Sequence, residues 1–202
     1  HILSLTGHGP YYDRVVKDGS YSASGMFTDV KVNWWELAGK TIGVIGLGNI
    51  GLRVAKVAEA FGMNVCYYST SGTSHNKDYP SLPLEKLLAE SDIVSIHAPL
   101  NEKTRGLIGS RELSIMKPSA YIVNMGRGGI VEEQALAAAV DNGVIAGAAL
   151  DVFEVEPLPK DSCFLKVRHP ERFRLAPHVA WASVEARERL VGMIADNIAK
   201  GW

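Results

Sequence analysis

The feature that most constrains this chain is a regular alternation of short apolar runs with helix-like segments. Each run is nonpolar at nearly every position and is bounded by Gly, Pro or Asp, a pattern typical of strands covered on both faces. The six runs are residues 41–46, 64–69, 92–97, 120–124, 146–151 and 173–176. Strands of this kind belong to parallel sheets, so the pattern predicts a doubly wound α/β fold with three layers, α/β/α.

Helix-like segments separate these runs and follow the last of them, at residues 49–61, 83–90, 132–141 and 183–200. The last segment begins after a typical N-cap, Ser183, and carries on one face Leu190, Val191, Ile194 and Ile198. Residues 1–40 fit the alternation less well, because glycines and a proline interrupt their apolar stretch. We interpret 1–40 as an entering helix and a covering arm, 41–182 as the core, and 183–202 as a returning helix.

Composition excludes two classes of function. The chain has 202 residues, 47% of them hydrophobic, and a net charge of −1, so it lacks the basic excess that nucleic-acid binding requires. Its longest apolar stretches, such as 143–150, are much shorter than the ~18 residues that span a bilayer. The two cysteines, Cys66 and Cys163, have neither C-x-x-C spacing nor nearby metal ligands. They therefore predict reduced thiols in the cytoplasm and no metal site.

A glycine-rich turn follows the first predicted strand and opens the first predicted helix. In the run G-L-G-N-I-G, Gly46 permits the tight turn, Gly48 allows a pyrophosphate to approach the backbone, and Gly51 allows the helix to pack closely on the strand. The free amides of a helix N-terminus favour phosphate. A strand before the turn and a helix after it predict a Rossmann-like dinucleotide-binding unit.

The end of the second predicted strand leaves the choice of dinucleotide open. An acidic residue usually stands there to bind the ribose 2′-hydroxyl of NAD, but this chain has Ser69 followed by Thr70 and Ser71. These small hydroxyls would tolerate the 2′-phosphate of NADP, yet only His75 and Lys77 supply positive charge nearby. We favour NAD because no arginine accompanies the serines, and NADP stays the alternative.

Three further segments carry polar residues just past predicted strands, at the edge where open α/β sheets bind ligands. Arg127 lies between glycines after the fourth strand, and its guanidinium suits a two-pronged contact with a carboxylate. Glu156 and His178 follow the last two strands. If they meet, the carboxylate would fix the tautomer of the imidazole, leaving the other ring nitrogen to exchange a proton with a substrate.

These motifs together resemble a known family. Their order, G-L-G-N-I-G, H-A-P-L, N-M-G-R-G-G, D-V-F-E-V-E-P and P-H-V-A-W, is similar to that of the nucleotide-binding domain of the D-isomer-specific 2-hydroxyacid dehydrogenases. The resemblance covers nearly the whole chain, and the closing string looks most like the glycerate dehydrogenase or hydroxypyruvate reductase branch.

The resemblance implies a role for each motif residue. Arg127 would hold the substrate carboxylate and carbonyl, and Glu156 would support the catalytic His178. Asp151 would bind the nicotinamide carboxamide, and Trp181 would wall the substrate pocket. His97, which ends the third strand, would be a structural or cofactor-side histidine. Cofactor contacts are also expected from Arg127, His178 and the residues Asn49, Ile50, Ser69, Ala98, Pro99, Thr104, Met125 and Gly126.

The implied reaction is hydride transfer between a nicotinamide cofactor and a small 2-oxo or 2-hydroxy acid, with hydroxypyruvate and D-glycerate as the favoured pair. Alternatives are glyoxylate or pyruvate as the oxo acid, or an NAD(H)-sensing scaffold similar to the co-repressors that share this fold. A Rossmann domain of unrelated chemistry would share the glycine turn but would not require Arg127, Glu156 and His178 in that order. The resemblance further implies a homodimer, with residues 1–40 as the candidate arm.

Full-length members of this family also have a separate substrate domain. By resemblance, His1 would fall inside the helix that links the two domains, and residues 194–202 inside the helix that returns. We therefore expect these 202 residues to form the nucleotide-binding domain and to lack most of the substrate domain.

Overall fold

The computed structural model describes residues 1–73 and 76–201, and its centre is one parallel sheet. The strands are β1 (Thr41–Ile45), β2 (Asn64–Tyr68), β3 (Ile93–Ile96), β4 (Tyr121–Asn124), β5 (Gly147–Leu150) and β6 (Phe173–Leu175). They lie in the order β2-β1-β3-β4-β5-β6, and every neighbouring pair is parallel. All six strands therefore coincide with the predicted apolar runs.

Helices cover both faces of the sheet. They are α1 (Ile2–Thr6), α2 (Gly9–Lys17), α3 (Ser20–Ala23), α4 (Asn49–Ala60), α5 (Leu84–Glu90), α6 (Ser110–Ile115), α7 (Glu133–Asp141) and α8 (Val184–Ala199). Two single-turn 3₁₀ helices, Cys163–Leu165 and Pro170–Arg172, precede β6.

Two apolar cores explain why the strands are hydrophobic at successive positions. Every residue of β3, β4 and β5 is buried. On one face Leu87, Leu113 and Leu136 bring α5, α6 and α7 into one core, and on the other Leu5 and Ala55 anchor α1 and α4. Burial on both faces removes both rows of side chains from water. The predicted three-layer, doubly wound α/β fold is confirmed.

The strand order creates a crevice at one place on the sheet. From β1 the chain moves outward to β2, and then crosses back to form β3 on the other side of β1. At such a reversal the connections leave the carboxyl ends of β1 and β3 in opposite directions, and ligands of open α/β sheets bind in the gap between them.

The first 40 residues differ from the single entering helix that the sequence suggested. Three short helices lie there. His8 precedes α2 and Gly19 precedes α3, and both adopt left-handed conformations, with φ of 49° and 81°. A left-handed residue cannot continue a right-handed helix, so the segment is interrupted at both positions. The following arm does cover the sheet in part, since the ring of Trp35 packs 5.9 Å from that of Tyr121. Phe27, by contrast, is 90% exposed.

The returning helix α8 has the predicted cap and an exposed apolar face. The hydroxyl of Ser183 accepts a hydrogen bond from the N–H of Ala186 at 3.2 Å. None of the residues of α8 is buried within the described part of the chain, and the predicted face of Leu190, Val191, Ile194 and Ile198 is exposed to solvent. No helix among the described residues is both long and apolar enough to cross a membrane.

Candidate functional site

The glycine turn after β1 has the geometry that the sequence predicted. Gly46 has φ of 89°, and a Cβ there would lie 2.9 Å from the backbone of Ala98. A Cβ on Gly51 would lie 2.2 Å from the carbonyl oxygen of Gly46. Around Gly48, which caps α4, a Cβ would meet no protein atom within 4 Å. Two of the glycines therefore allow tight packing, whereas the third leaves the start of α4 open to a ligand.

An open cavity of about 740 Å³ lies beside this turn, and we call it the edge cavity. Its walls come from residues within 46–48, 69–73 and 97–103, which follow β1, β2 and β3. The volume and the adjoining helix N-terminus fit a dinucleotide. Four of the predicted cofactor residues line it: Gly46, Gly48, Ser69 and Pro99. Two others, Asn49 and Ile50, are exposed at the start of α4.

Other predicted cofactor residues shape the loops around the edge cavity. Ala98 is buried beneath Gly46, and Gly126 is buried so closely that a Cβ would lie 2.7 Å from the Ala98 carbonyl oxygen. Met125 lines a neighbouring apolar groove. Thr104 is fully buried, and its hydroxyl donates to the Pro99 carbonyl oxygen at 2.6 Å. The buried Thr104 hydroxyl therefore holds the loop, and its direct contact with a cofactor stays a prediction.

Two charged residues of the edge cavity escaped the sequence analysis. Glu102 and Lys103 line it together with the serines that follow β2, because Thr104 folds the loop after β3 back on itself. Lys103 forms no ion pair with any residue that the structure describes. The sequence signal that could have identified this loop is the Asn101–Thr104 spacing, since both side chains can form hydrogen bonds with the backbone of a tight turn. Lys77 lines a neighbouring hollow that Ser69 also lines, and His75 lies outside the described residues.

His97 lies in the wall of the edge cavity and has no carboxylate partner among the residues that the structure describes. Its Nε2 lies 2.9 Å from the Ser95 hydroxyl, while its Nδ1 is buried and makes no hydrogen bond within the described residues. Burial lowers the pKa of His97 to about 4, so the ring is neutral at physiological pH. The structural or cofactor-side role of His97 stays a prediction.

The structure brings together the two residues proposed for acid–base chemistry. His178 Nδ1 lies 2.7 Å from Glu156 Oε2, and Glu156 Oε1 accepts the N–H of Phe153 at 2.9 Å. Both hydrogen bonds lower the pKa of Glu156 below its usual value, and the bond with His178 has the larger effect. An ionised carboxylate only accepts, so Nδ1 carries the hydrogen and Nε2 is the atom able to exchange a proton.

Asp151 fixes the loop that carries this histidine. Its carboxylate is buried, and its oxygens accept the N–H groups of Val179 and Ala180, each at 2.9 Å. His178 itself has φ of 53°, a left-handed conformation that is rare outside glycine. Two hydrogen bonds to an ionisable side chain can maintain such a turn. The predicted contact of Asp151 with a carboxamide stays a prediction.

Arg127 extends from a loop locked by Asn124. The Asn124 side chain donates to the Arg127 carbonyl oxygen at 3.0 Å and accepts the N–H of Gly126 at 3.0 Å. The guanidinium is exposed, donates to the Gly126 carbonyl oxygen at 2.8 Å, and is close enough for its charge to contribute to the lowered pKa of Glu156. The arginine and the histidine–glutamate pair therefore share one edge of the sheet.

Two loops approach closely, and their contact places Arg127 near the histidine–glutamate pair. No motif in the sequence indicated this contact. A Cβ on Gly128 would lie 1.8 Å from the carbonyl oxygen of Phe153, which leaves no space for any other residue. Gly128 thus lets the loop of Arg127 rest on the loop of Glu156. Trp181, the predicted wall of a substrate pocket, is 51% exposed three residues after His178, and that role stays a prediction.

Comparisons with known proteins agree with this geometry. Residues 1–180 match the model of the family described as D-isomer specific 2-hydroxyacid dehydrogenase, NAD binding domain. The chain is 42% identical over 192 residues to a glyoxylate reductase of Korarchaeum cryptofilum, covering 92% of this chain and 55% of that protein. It is 38% identical over 187 residues to a glycerate dehydrogenase of Methylorubrum extorquens, covering 93% of this chain and 58% of that protein.

A solved structure gives the same result. The NADPH-dependent glyoxylate/hydroxypyruvate reductase of Sinorhizobium meliloti superposes with a TM-score of 0.84 at 31% identity, covering 98% of this chain and 60% of that one. The chain spans little more than half the length of these curated relatives. The family match, the parallel sheet and the ordered motifs agree: this chain belongs to the D-isomer-specific 2-hydroxyacid dehydrogenases, and its matched region is their NAD binding domain.

Proposed function

We propose that the protein is an NAD(P)-dependent dehydrogenase that reduces the carbonyl group of a small 2-oxo acid. The observation that carries this proposal is the 2.7 Å hydrogen bond between His178 and Glu156 on the sheet edge that also holds Arg127. One protonatable ring nitrogen and one guanidinium are what a 2-oxo acid needs, because it presents a carbonyl oxygen beside a carboxylate.

Each of the three residues has a distinct task. Arg127 binds the substrate carboxylate and, as a cation, draws electron density from the carbonyl group. His178 donates the proton on Nε2 to the carbonyl oxygen as negative charge develops there. Glu156 accepts the Nδ1 hydrogen and keeps the imidazole oriented, since its lowered pKa keeps the carboxylate ionised at neutral pH. When bound, the reduced nicotinamide supplies the hydride.

For the substrate we propose hydroxypyruvate, with glyoxylate as the alternative. The closing motif around His178 favoured the glycerate dehydrogenase branch, and one relative carries that name. The more similar relative in sequence is named a glyoxylate reductase, and the structural relative is named for both acids. Both acids are small, so the ratio of their kcat/KM values is the informative quantity.

For the cofactor we propose NAD, held by the glycine turn, with NADP as the second candidate. The residues that would hold it are Gly46, Gly48 and the start of α4 for the pyrophosphate, and Ser69 with Pro99 for the adenosine end. No arginine is among the residues that line the edge cavity, which favours NAD. Lys103 supports the alternative, because its ammonium group could neutralise a 2′-phosphate.

We also propose a homodimer that uses residues 1–40 as its arm. Exposed apolar side chains on this arm support the proposal, namely Met26 at 59%, Phe27 at 90%, Val30 at 75% and Trp34 at 57%. Large apolar side chains clustered on a surface mark interaction sites more often than chance. Light scattering on the purified protein tests it, and a monomeric mass would overturn it. A cytoplasmic location remains our proposal, based on the two free cysteines.

The proposed reaction is tested by following nicotinamide absorbance with the purified protein. Hydroxypyruvate, glyoxylate and pyruvate are each offered with NADH and with NADPH. Consumption with at least one pairing supports the proposal, and the preferred pairing identifies the acid and the cofactor. Binding of a cofactor without consumption in any pairing would overturn it. Cofactor-dependent capture of a protein partner in that case would favour the scaffold alternative.

A further inference from the structure

We propose that a cavity at the opposite edge of the sheet binds a multivalent oxyanion, such as a phosphate group. This cavity, which we call the arginine cavity, encloses about 500 Å³. Ala146 and Arg172, which precede β5 and β6, line it, whereas His178 and Asp151 follow the carboxyl ends of these strands. The site is therefore separate from the candidate active site and does not depend on the proposed reaction, although part of its wall, His8, Pro10, Tyr11, Arg14 and Val32, belongs to the proposed dimer arm.

Three arginines line this cavity, and the hydrogen bonds of two of them, Arg172 and Arg174, go to neutral acceptors. Arg174 donates to the Ser4 hydroxyl at 3.0 Å and to the carbonyl oxygens of Glu171 and Phe173, each at 2.8 Å. Arg172 donates to the carbonyl oxygen of Val140 at 3.2 Å. The guanidinium of Arg14 lies 5.8 Å from the ring centroid of Tyr11, in a cation–π contact. Their polar hydrogens are partly used, but their charges are not neutralised.

No carboxylate forms an ion pair with any of these arginines in the part of the chain that the structure describes. Glu171 is the acidic residue in the cavity wall, and its carboxylate is 3.3 Å from His169 Nδ1. His8 adds no charge at neutral pH, since burial and the nearby Arg174 lower its pKa. Among the residues that line the cavity, three arginines stand against one glutamate, and beyond its wall Asp29 accepts the Tyr11 hydroxyl at 3.0 Å while Asp18 interacts with the charge of Arg14.

Partial burial makes the unneutralised charge of Arg174 costly unless an anion compensates it, whereas Arg172 is half-buried and Arg14 is exposed. Burial also lowers the pKa of Arg174, although an arginine remains charged at any physiological pH. An unpaired charge that loses hydration is unfavourable, and its usual solution is a counter-charge. The N-terminus of α2 adds to the attraction, because His8 and Pro10 line the cavity and no side chain caps that helix end.

The shape of the donors indicates which anion fits. Guanidinium forks match tetrahedral phosphate and planar carboxylate oxygens, and two or three of them favour an ion of more than one charge. A cavity of this volume accepts a phosphate ester or a small polycarboxylate, but not a macromolecule. Both ligands share the same chemistry, so phosphate and citrate are the two probes.

The experiment is isothermal titration of the protein with pyrophosphate, phosphate and citrate at constant ionic strength. Saturating NADH is included, so that the glycine turn is occupied. Arg14→Gln and Arg172→Gln are the test variants, because Arg174 also ties β6 to α1 through Ser4 and its loss could unfold the protein. Arg189→Gln, on exposed α8, removes the same charge elsewhere.

We expect one anion per chain to bind, with affinity reduced about tenfold in each test variant and unchanged in Arg189→Gln. Tighter binding of pyrophosphate than of citrate would identify the ligand class as phosphate, and the reverse would identify polycarboxylates. Absence of binding, or equal affinity in all variants, would overturn the proposal. It would also be overturned if Arg14→Gln changed only the monomer–dimer equilibrium, because the charges would then serve a second copy of the chain.

Discussion

His178 Nδ1 and Glu156 Oε2 are 2.7 Å apart although the two residues are 22 positions apart in the sequence. Each stands on a loop held by a separate anchor. The Phe153 N–H fixes the glutamate, and the Asp151 carboxylate fixes the backbone just after the histidine. The pair is therefore organised before any ligand binds, which is the condition for efficient proton transfer.

The pair makes stability depend on pH through Glu156. Its pKa is held below the ordinary 4.5 by His178 and the Phe153 N–H, so the ionised form stabilises the fold above the unfolded-state pKa. This contribution is lost as the pH falls through the folded-state pKa. We expect Glu156→Gln to be less stable than wild type at about pH 7, with the gap shrinking below about pH 4.

Denaturant titrations at about pH 7 and at a pH below about 4 measure this effect. Glu188→Gln on exposed α8 is the matched control, because it removes one carboxylate without this pair of partners. A stability gap between wild type and Glu156→Gln that stays the same at both pH values would show that the hydrogen bonds to Glu156 do not favour its ionised form.

Gly128 should tolerate no side chain. Its Cβ position lies 1.8 Å from the Phe153 carbonyl oxygen, so Gly128→Ala must push the loops of Arg127 and Glu156 apart. We expect a loss of about 2 kcal/mol or more in the free energy of unfolding, together with a large loss of turnover. Gly192→Ala is the control, since its Cβ would meet nothing within 4 Å. Equal stability of the two variants in urea titrations would contradict the close approach.

Substitutions of the glycines in the turn after β1 should distinguish an effect on cofactor binding from an effect on folding. A Cβ on Gly48 meets no protein atom within 4 Å, so Gly48→Ala should keep the melting temperature within about 2 °C but weaken NADH binding. A Cβ on Gly51 meets the Gly46 carbonyl oxygen at 2.2 Å, so Gly51→Ala should lower the melting temperature as well. Calorimetry and fluorescence titration measure the two effects. Unweakened NADH binding by a folded Gly48→Ala would exclude the turn as the pyrophosphate site.

Lys103 should matter for NADP more than for NAD. It lines the edge cavity together with Ser69, whereas Lys77 lines a neighbouring hollow that Ser69 also lines. Lys103→Gln should weaken NADPH binding about fivefold to tenfold and leave NADH binding nearly unchanged, because only NADPH carries the 2′-phosphate. Lys166→Gln, at an exposed position outside the edge cavity, is the control with the same loss of charge. If both cofactors lost affinity equally in Lys103→Gln, the lysine would not contact the 2′-phosphate.

The sequence was sufficient for those parts of the fold that depend on local pattern. All six strands, the glycine turn and the Ser183 cap lie where apolar runs and capping residues indicated. Helix α6 was missed, because its six residues are too few to show a helical period. The apolar face of α8 was found correctly, but nothing in its periodicity tells that the face is exposed within this chain.

Only part of the site could be predicted from the sequence, because local patterns identify motifs but not contacts between distant segments. Motifs identified Arg127, Glu156 and His178 because each stands beside glycine or proline in a recognisable order. The anchoring role of Asp151, the contact of Gly128 with Phe153, and the position of Lys103 are consequences of how separate loops pack. No local pattern reports such contacts between distant segments.

The most direct test of the account compares His178→Gln with His169→Gln. Both remove a histidine whose Nδ1 faces a glutamate, but only His178 lies at the candidate active site. We expect kcat for the preferred 2-oxo acid to fall about 100-fold or more in His178→Gln, with NADH affinity within about twofold of wild type. His169→Gln should behave as wild type. Turnover close to wild type in a folded His178→Gln protein would contradict the central claim that this histidine donates the proton.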